Sequence, residues 1–147
     1  MSAIRRPSWP EGGDKDMERI RFLLSRDDWY HQRGYWVVAK ALSEAGVEVI
    51  LGGIQTPREI VQTALHEDVD VIGYRLMDAS PQVVIGILFQ EMRQAGLEGV
   101  PVVVGGIIPE KDETLIREMG VKDVFRPFDP LDSIKERVLA VARAARA

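Results

Sequence analysis

Short apolar runs alternate with helix-length amphipathic segments along this chain. Five runs rich in β-branched residues predict strands near Ile20–Leu24, Val47–Leu51, Val69–Tyr74, Val100–Val104 and Val121–Phe125. Helix signals punctuate the intervals. Thr56-Pro57-Arg58-Glu59 has the spacing of a capping box with proline at the first helical position, and Ser80-Pro81 and Asp129-Pro130 repeat the cap-then-proline pattern. Gly46, Gly96 and Gly120 stand where helices should stop. Strands that are continuously apolar and separated by helices predict a parallel sheet covered on both faces. The expected fold is therefore an α/β, doubly wound five-stranded sheet in the flavodoxin-like order 2-1-3-4-5.

Met1–Asp16 mixes Pro, Gly and charges without period and reads as a loosely attached lead-in, so the domain is expected over 17–147. A chain of 147 residues, 46% apolar and 29% charged, suits one globular domain. Its net charge of −4 gives no reason to expect a nucleic-acid or anionic-membrane partner. With no cysteine there is no disulfide, thiolate nucleophile or zinc knuckle. The absence of a leader-like or membrane-length apolar run adds the expectation of a cytoplasmic, unanchored protein.

In such a sheet, ligands bind at the carboxyl ends of the strands, near the first. The corresponding loops are Ser25–Arg33, Gly52–Gln55, Arg75–Ala79, Gly105–Ile108 and Arg126–Phe128. His31 falls in the first, where an imidazole can serve as a metal ligand or a general base. Gly52-Gly53 and Gly105-Gly106 follow strands directly, where missing side chains allow tight turns or close approach of a ligand. No G-x-G-x-x-G follows the first strand, which argues against dinucleotide binding. Arg26, Arg33, Arg75 and Arg126, with Trp29, Tyr30, Tyr74 and Phe128, predict a contiguous surface for an anionic or aromatic ligand or a partner protein. His66, late in the second helix, reads as an ordinary surface residue.

The order "HQRG…VVAKALSEAGVEVILGGIQTPREIVQTALHEDVDVIG…VVVGGIIPEKDETLIREMGVKDVF" resembles the cobalamin-binding domain of acyl-CoA mutases, especially methylmalonyl-CoA mutase and its small-subunit relatives. That family carries a D-x-H-x-x-G loop after the first strand. Its histidine is the lower axial ligand of cobalt, and the dimethylbenzimidazole tail lies in a slot of the fold. His31 and Gly34 match H-x-x-G, and Gln55–Pro57 and Gly105–Pro109 match further stretches. The resemblance therefore implies an adenosylcobalamin site of His31, as cobalt ligand, with Gly34, Gln55, Thr56, Arg75, Met77, Gly105, Gly106 and Phe128 about the cofactor.

Three departures accompany the match. The family's Asp, which orients the axial histidine, falls at Trp29 in a loop one residue shorter, with Asp28 as the available substitute; a less firmly held His31 is expected. The family's S-x-L reads Arg75-Leu76-Met77, and its G-P-G-T-like turn reads Arg126-Pro127-Phe128-Asp129, so bulky side chains are expected to crowd the tail slot. By resemblance, the chain is a cobalamin-carrying subunit of a carbon-skeleton mutase, an isomerase, without catalytic residues of its own and partnered by a large subunit that binds the acyl-CoA. The alternative is a degenerate module that keeps the fold, loses the corrin and fills the slot. A phosphoacceptor receiver domain would share the topology, and Asp27 and Asp28 suit it, but Arg75 and Arg126 stand where it needs an aspartate and a lysine.

Overall fold

The computed structural model describes residues 20–146, so the lead-in assigned to Met1–Asp16 lies outside the described residues. Ten elements alternate: β1 Arg21–Arg26, α1 Gln32–Glu44, β2 Glu48–Ile54, α2 Pro57–Glu67, β3 Val71–Leu76, α3 Pro81–Gln94, β4 Val102–Gly106, α4 Glu110–Met119, β5 Asp123–Phe125 and α5 Leu131–Arg146. The five strands form one parallel sheet in the order β2-β1-β3-β4-β5, as the sequence pattern predicts. None of the described helices is long and apolar enough to cross a membrane.

Side chains along β1, β3 and β4 alternate between two cores, one on each face of the sheet. Ile72, Tyr74 and Leu76 of β3 join Val102 and Val104 of β4 in a core under α2, α3 and α4. Val71 and Val103 face the other way, with Phe22 and Leu24, into a core under α1 and α5. Helix signals act as expected at α2, where Thr56 and Glu59 close a reciprocal capping box behind Pro57. Ser80 occupies its N-cap position without a side-chain bond, so there the proline carries the signal. Gly46, Gly96 and Gly120 follow α1, α3 and α4 with positive φ, whereas α2 ends on Asp68 at φ 51°.

The predicted strand ends need one systematic correction. Four strands continue two or three residues past the expected stop, because backbone pairing outlasts the apolar run. Arg26 pairs with Ile54 and Arg75, Arg75 with Gly105, and Leu76 with Gly106. Both glycine pairs are thus strand residues rather than loop residues. Gly52 is the extra residue of an irregularity between β1 and β2, where Leu24 pairs with Leu51 and Ser25 with Gly53.

Candidate functional site

At the head of the sheet the β1–α1 connection is only five residues long, and both of its carboxylates are occupied. Asp27 accepts hydrogen bonds from the backbone N–H groups of Met77 (2.8 Å), Asp78 (3.0 Å) and Ala79 (2.8 Å), pinning the β3–α3 loop beside β1. Asp28 turns inward, and its carboxylate is 1% exposed. One of its oxygens meets His31 Nδ1 in a short hydrogen bond, while the other is buried with no hydrogen-bond partner among the described residues. Burial pushes the Asp28 carboxyl up, but the His31 hydrogen bond and charge outweigh this and hold it below its ordinary value.

The imidazole itself remains half exposed at 52%, and among the described residues Nε2 has no hydrogen-bond partner. Trp29, which aligns with the family's aspartate, points outward at 68% exposure. The expected slackening of His31 therefore does not follow. Shortening the loop by one residue moves the carboxylate back by one, and Asp28 reaches the ring from three positions before it.

Below His31, between the sheet and the α1–α5 pair, lies a cavity of about 180 Å³, walled by Phe22, Tyr35, Phe125, Ile134 and Val138 among others. Gly73 and Gly105 form its floor, the Phe22 ring packing over Gly73 where a Cβ would otherwise stand, and Arg75 and Arg126 stand at its head. The Arg75 guanidinium donates to the His31 carbonyl (2.5 Å), with Nη2 only 2.7 Å from where a Cβ on Gly34 would be. Gly34, in the first turn of α1 rather than a loop, thus makes room for this arginine. Gly105 and Gly106 differ in kind. A Cβ at Gly105 would lie 3.7 Å from the Phe125 carbonyl oxygen, an ordinary contact, whereas Gly106 has φ 106° and its Cβ would collide with the Leu76 backbone. Only Gly106 is demanded by the chain's own backbone.

The remaining expected site residues have other partners. Gln55 accepts from Ser25 Oγ (2.7 Å) and donates to Thr63 (2.9 Å), Thr56 caps α2, and Met77 is held by Asp27 through its backbone. None of the three lines the cavity. Phe128 is 96% exposed and outside the cavity, so the expected crowding by its ring is corrected: the β5–α5 turn points it into solvent. The expected surface cluster is also smaller than predicted. Arg26 and Tyr74 are buried, the former stacked 4.7 Å over the Tyr35 ring and the latter donating to the Gln55 carbonyl (2.7 Å). Burial, with Asp27 and Glu59 nearby, pushes Tyr74 up to about 12, which leaves it a neutral donor. Arg126 pairs with Glu113, and His66 is exposed as expected. Gly73, the floor residue missed by sequence reasoning, carried a signal: a lone glycine inside "VDVIGY" marks a close approach.

A family model described as "B12 binding domain" matches residues 23–131. The chain belongs to the B12-binding domain family. It is 39% identical over 137 residues to the 2-hydroxyisobutanoyl-CoA mutase small subunit of Aquincola tertiaricarbonis, covering 89% of this chain and 99% of that protein. It is 40% identical over 118 residues to the pivalyl-CoA mutase small subunit of Xanthobacter autotrophicus, covering 80% and 79%. A response regulator of Desulfuromonas acetoxidans superposes with TM-score 0.68 at 18% identity, over 85% of this chain and 98% of that one, a likeness of fold alone. Family membership and the roles of Asp27 and Asp28 leave the receiver alternative without support.

The geometry fits the family's cofactor. Among the described residues no group of three or more His, Cys, Asp or Glu could hold a bare metal ion. One oriented imidazole suits a metal that arrives with its equatorial ligands already in place, as cobalt does in a corrin. The degenerate alternative expected a filled slot, and this one is open.

Proposed function

We propose that this chain is the cobalamin-carrying subunit of an adenosylcobalamin-dependent acyl-CoA mutase and works with a larger subunit that binds the acyl-CoA. The observation that carries the reading is the His31–Asp28 pair beside an open slot. A histidine that ligates a metal through one ring nitrogen is oriented by the hydrogen bond the other makes, and a buried carboxylate is a strong partner for that purpose. His31 would hold the metal, Asp28 would fix its tautomer and raise its basicity, and Gly105 would leave room for the nucleotide tail. Adenosylcobalamin, when bound, would supply the radical chemistry, and the protein would supply placement and tuning.

The rim supports a large partner. Trp29 (68% exposed), Tyr30 (88%), Ile107 (59%) and Phe128 (96%) present apolar surface on three loops at the carboxyl edge of the sheet, as an edge covered in an assembly would. The relatives named as small subunits of mutases support the same division of labour.

Electron paramagnetic resonance of the cob(II)alamin-loaded protein with nitrogen-15 histidine tests the reading. Wild type should show one axial histidine nitrogen, and His31→Ala should lose it. Asp28→Asn should keep the coordination but weaken retention by about 10- to 100-fold. A wild-type spectrum without histidine coupling, or no corrinoid retained after desalting, would sink the reading.

A further inference from the structure

Several arginines are matched with carboxylates: Arg21 with Glu48 and Glu67, Arg117 and, at the head of the slot, Arg126 with Glu113, and Arg137 with Asp123 and Asp129. The other cations at the head of the sheet are different. Arg26 and Arg75 are cross-strand neighbours on β1 and β3 and point to the same face. Like charges placed opposite each other in a sheet are destabilising. Even so, Arg26 is 7% exposed, and two of its guanidinium nitrogens, Nε and Nη1, have no hydrogen-bond partner among the described residues. Arg75 has the His31 carbonyl as its hydrogen-bond acceptor and, among the described residues, no carboxylate in ion-pair reach. Asp27 and Asp28 support its charge only from a distance, against burial and the charge of Arg26. An underneutralised cation at the mouth of an apolar cavity, with a second buried beside it, calls for an anion.

We propose that Arg75 is the residue by which this chain recognises the nucleotide tail of its corrinoid, its guanidinium taking the tail's phosphodiester at the head of the slot. The inference rests on the cobalamin reading above. Arg75 can reach such a group because its guanidinium lies along the wall, against Gly34, and leaves the cavity open. Arg26, buried behind it, adds positive potential without touching the ligand. A corrinoid without a nucleotide tail has nothing to offer this pair. Arg75 therefore makes the chain selective for complete corrinoids, where a small residue at the same position would leave the choice to the shape of the slot.

The test compares adenosylcobalamin with adenosylcobinamide, which lacks the tail, in spectral titrations of the full chain. Arg75→Gln should lower affinity for adenosylcobalamin by about 10- to 100-fold and move adenosylcobinamide by no more than about two-fold, the loss expected for one charge-assisted contact. Arg75→Lys, which keeps the charge without the fork, should recover part of the preference and shows that the effect is not a folding defect. Tighter cobalamin binding by Arg75→Gln would mean that the side chain crowds the tail and would overturn the proposal. An equal loss of both corrinoids would also overturn it, by reducing Arg75 to a strap on the His31 loop. A wild-type chain that holds neither corrinoid would take the cobalamin reading down as well, an outcome distinct from the other two.

Discussion

The two faces of the sheet are built from the same strands and end up differently. On β3, Ile72, Tyr74 and Leu76 serve one face, while Val71, Gly73 and Arg75 serve the other. On β4, Val102 and Val104 oppose Val103 and Gly105. Three helices close the first face into a continuous apolar core, whereas two helices and a glycine floor leave the second with its cavity. The closed face supplies stability, and the other gives some of it up for a place to put a ligand. A division of labour within one five-stranded sheet should be separable by substitution.

The largest effect belongs to the closed face. Leu88 on α3 is fully buried among Ile72, Leu76, Ile85 and other core residues. Leu88→Ala removes buried methyl groups where three helices and a sheet allow little collapse, and should cost about 2–5 kcal/mol in urea denaturation. Corrinoid affinity of the molecules that remain folded should not change. A matching loss of affinity in mild conditions would mean that the faces are not independent.

The closed face was also the more legible one. Its strands are apolar runs, its helices carry caps and proline signals, and the parallel order follows from the alternation. The slot face was legible at His31 and Gly105 and obscure between them, for physical reasons. Side-chain direction at Phe128 depends on a turn that no period encodes, so a bulky residue at a family position was read as an obstruction when it faces solvent. The reach of Asp28 depends on how a shortened loop closes. Arg26 looked like surface because polar atoms suggest exposure, but the strand runs on and buries it at the head of the sheet; Tyr74, on the closed face, was misread for the same reason.

A smaller effect is expected where the slot wall is tied down by charge. Arg137 of α5 donates to Asp123 (2.6 and 2.8 Å) and Asp129 (3.0 Å) and lies 4.4 Å over the Phe125 ring, joining α5 to β5. Burial raises the Asp123 carboxyl, but the Arg137 hydrogen bonds and charge outweigh it. Asp129 is held down first by the Arg126 backbone N–H and then by Arg137. Both folded values lie below the ordinary aspartate value of about 4, so the stabilisation is present above that pH and is lost as pH falls through the folded values. The cluster is partly solvated, so its contribution is on the order of 1 kcal/mol. Denaturation midpoints measured from pH 6 down to about 3 should fall more steeply in wild type than in Arg137→Ala. Parallel curves would show that the cluster contributes no measurable acid sensitivity.

The smallest effect on stability should come from Gly105→Ala, and it separates the two faces most cleanly. Gly105 lacks the positive φ of its neighbour Gly106, and an added Cβ would meet the Phe125 carbonyl oxygen at 3.7 Å and the Phe125 Cβ at 3.9 Å, both ordinary contacts. Nothing in the chain itself requires a glycine here. Replacing it should leave the fold intact and, by restricting the unfolded backbone, stabilise it by up to about 1 kcal/mol. The new methyl group, however, rises from the floor of the slot. A ligand filling that space would then be overpacked, a cost of about 1–3 kcal/mol in well-packed settings, equivalent to roughly 5- to 150-fold in affinity. The expected signature is a variant at least as stable as wild type that retains adenosylcobalamin poorly, read by urea denaturation and spectral titration on the same preparation. Unchanged affinity would mean that the tail does not lie over Gly105, and would leave the glycine floor without a function.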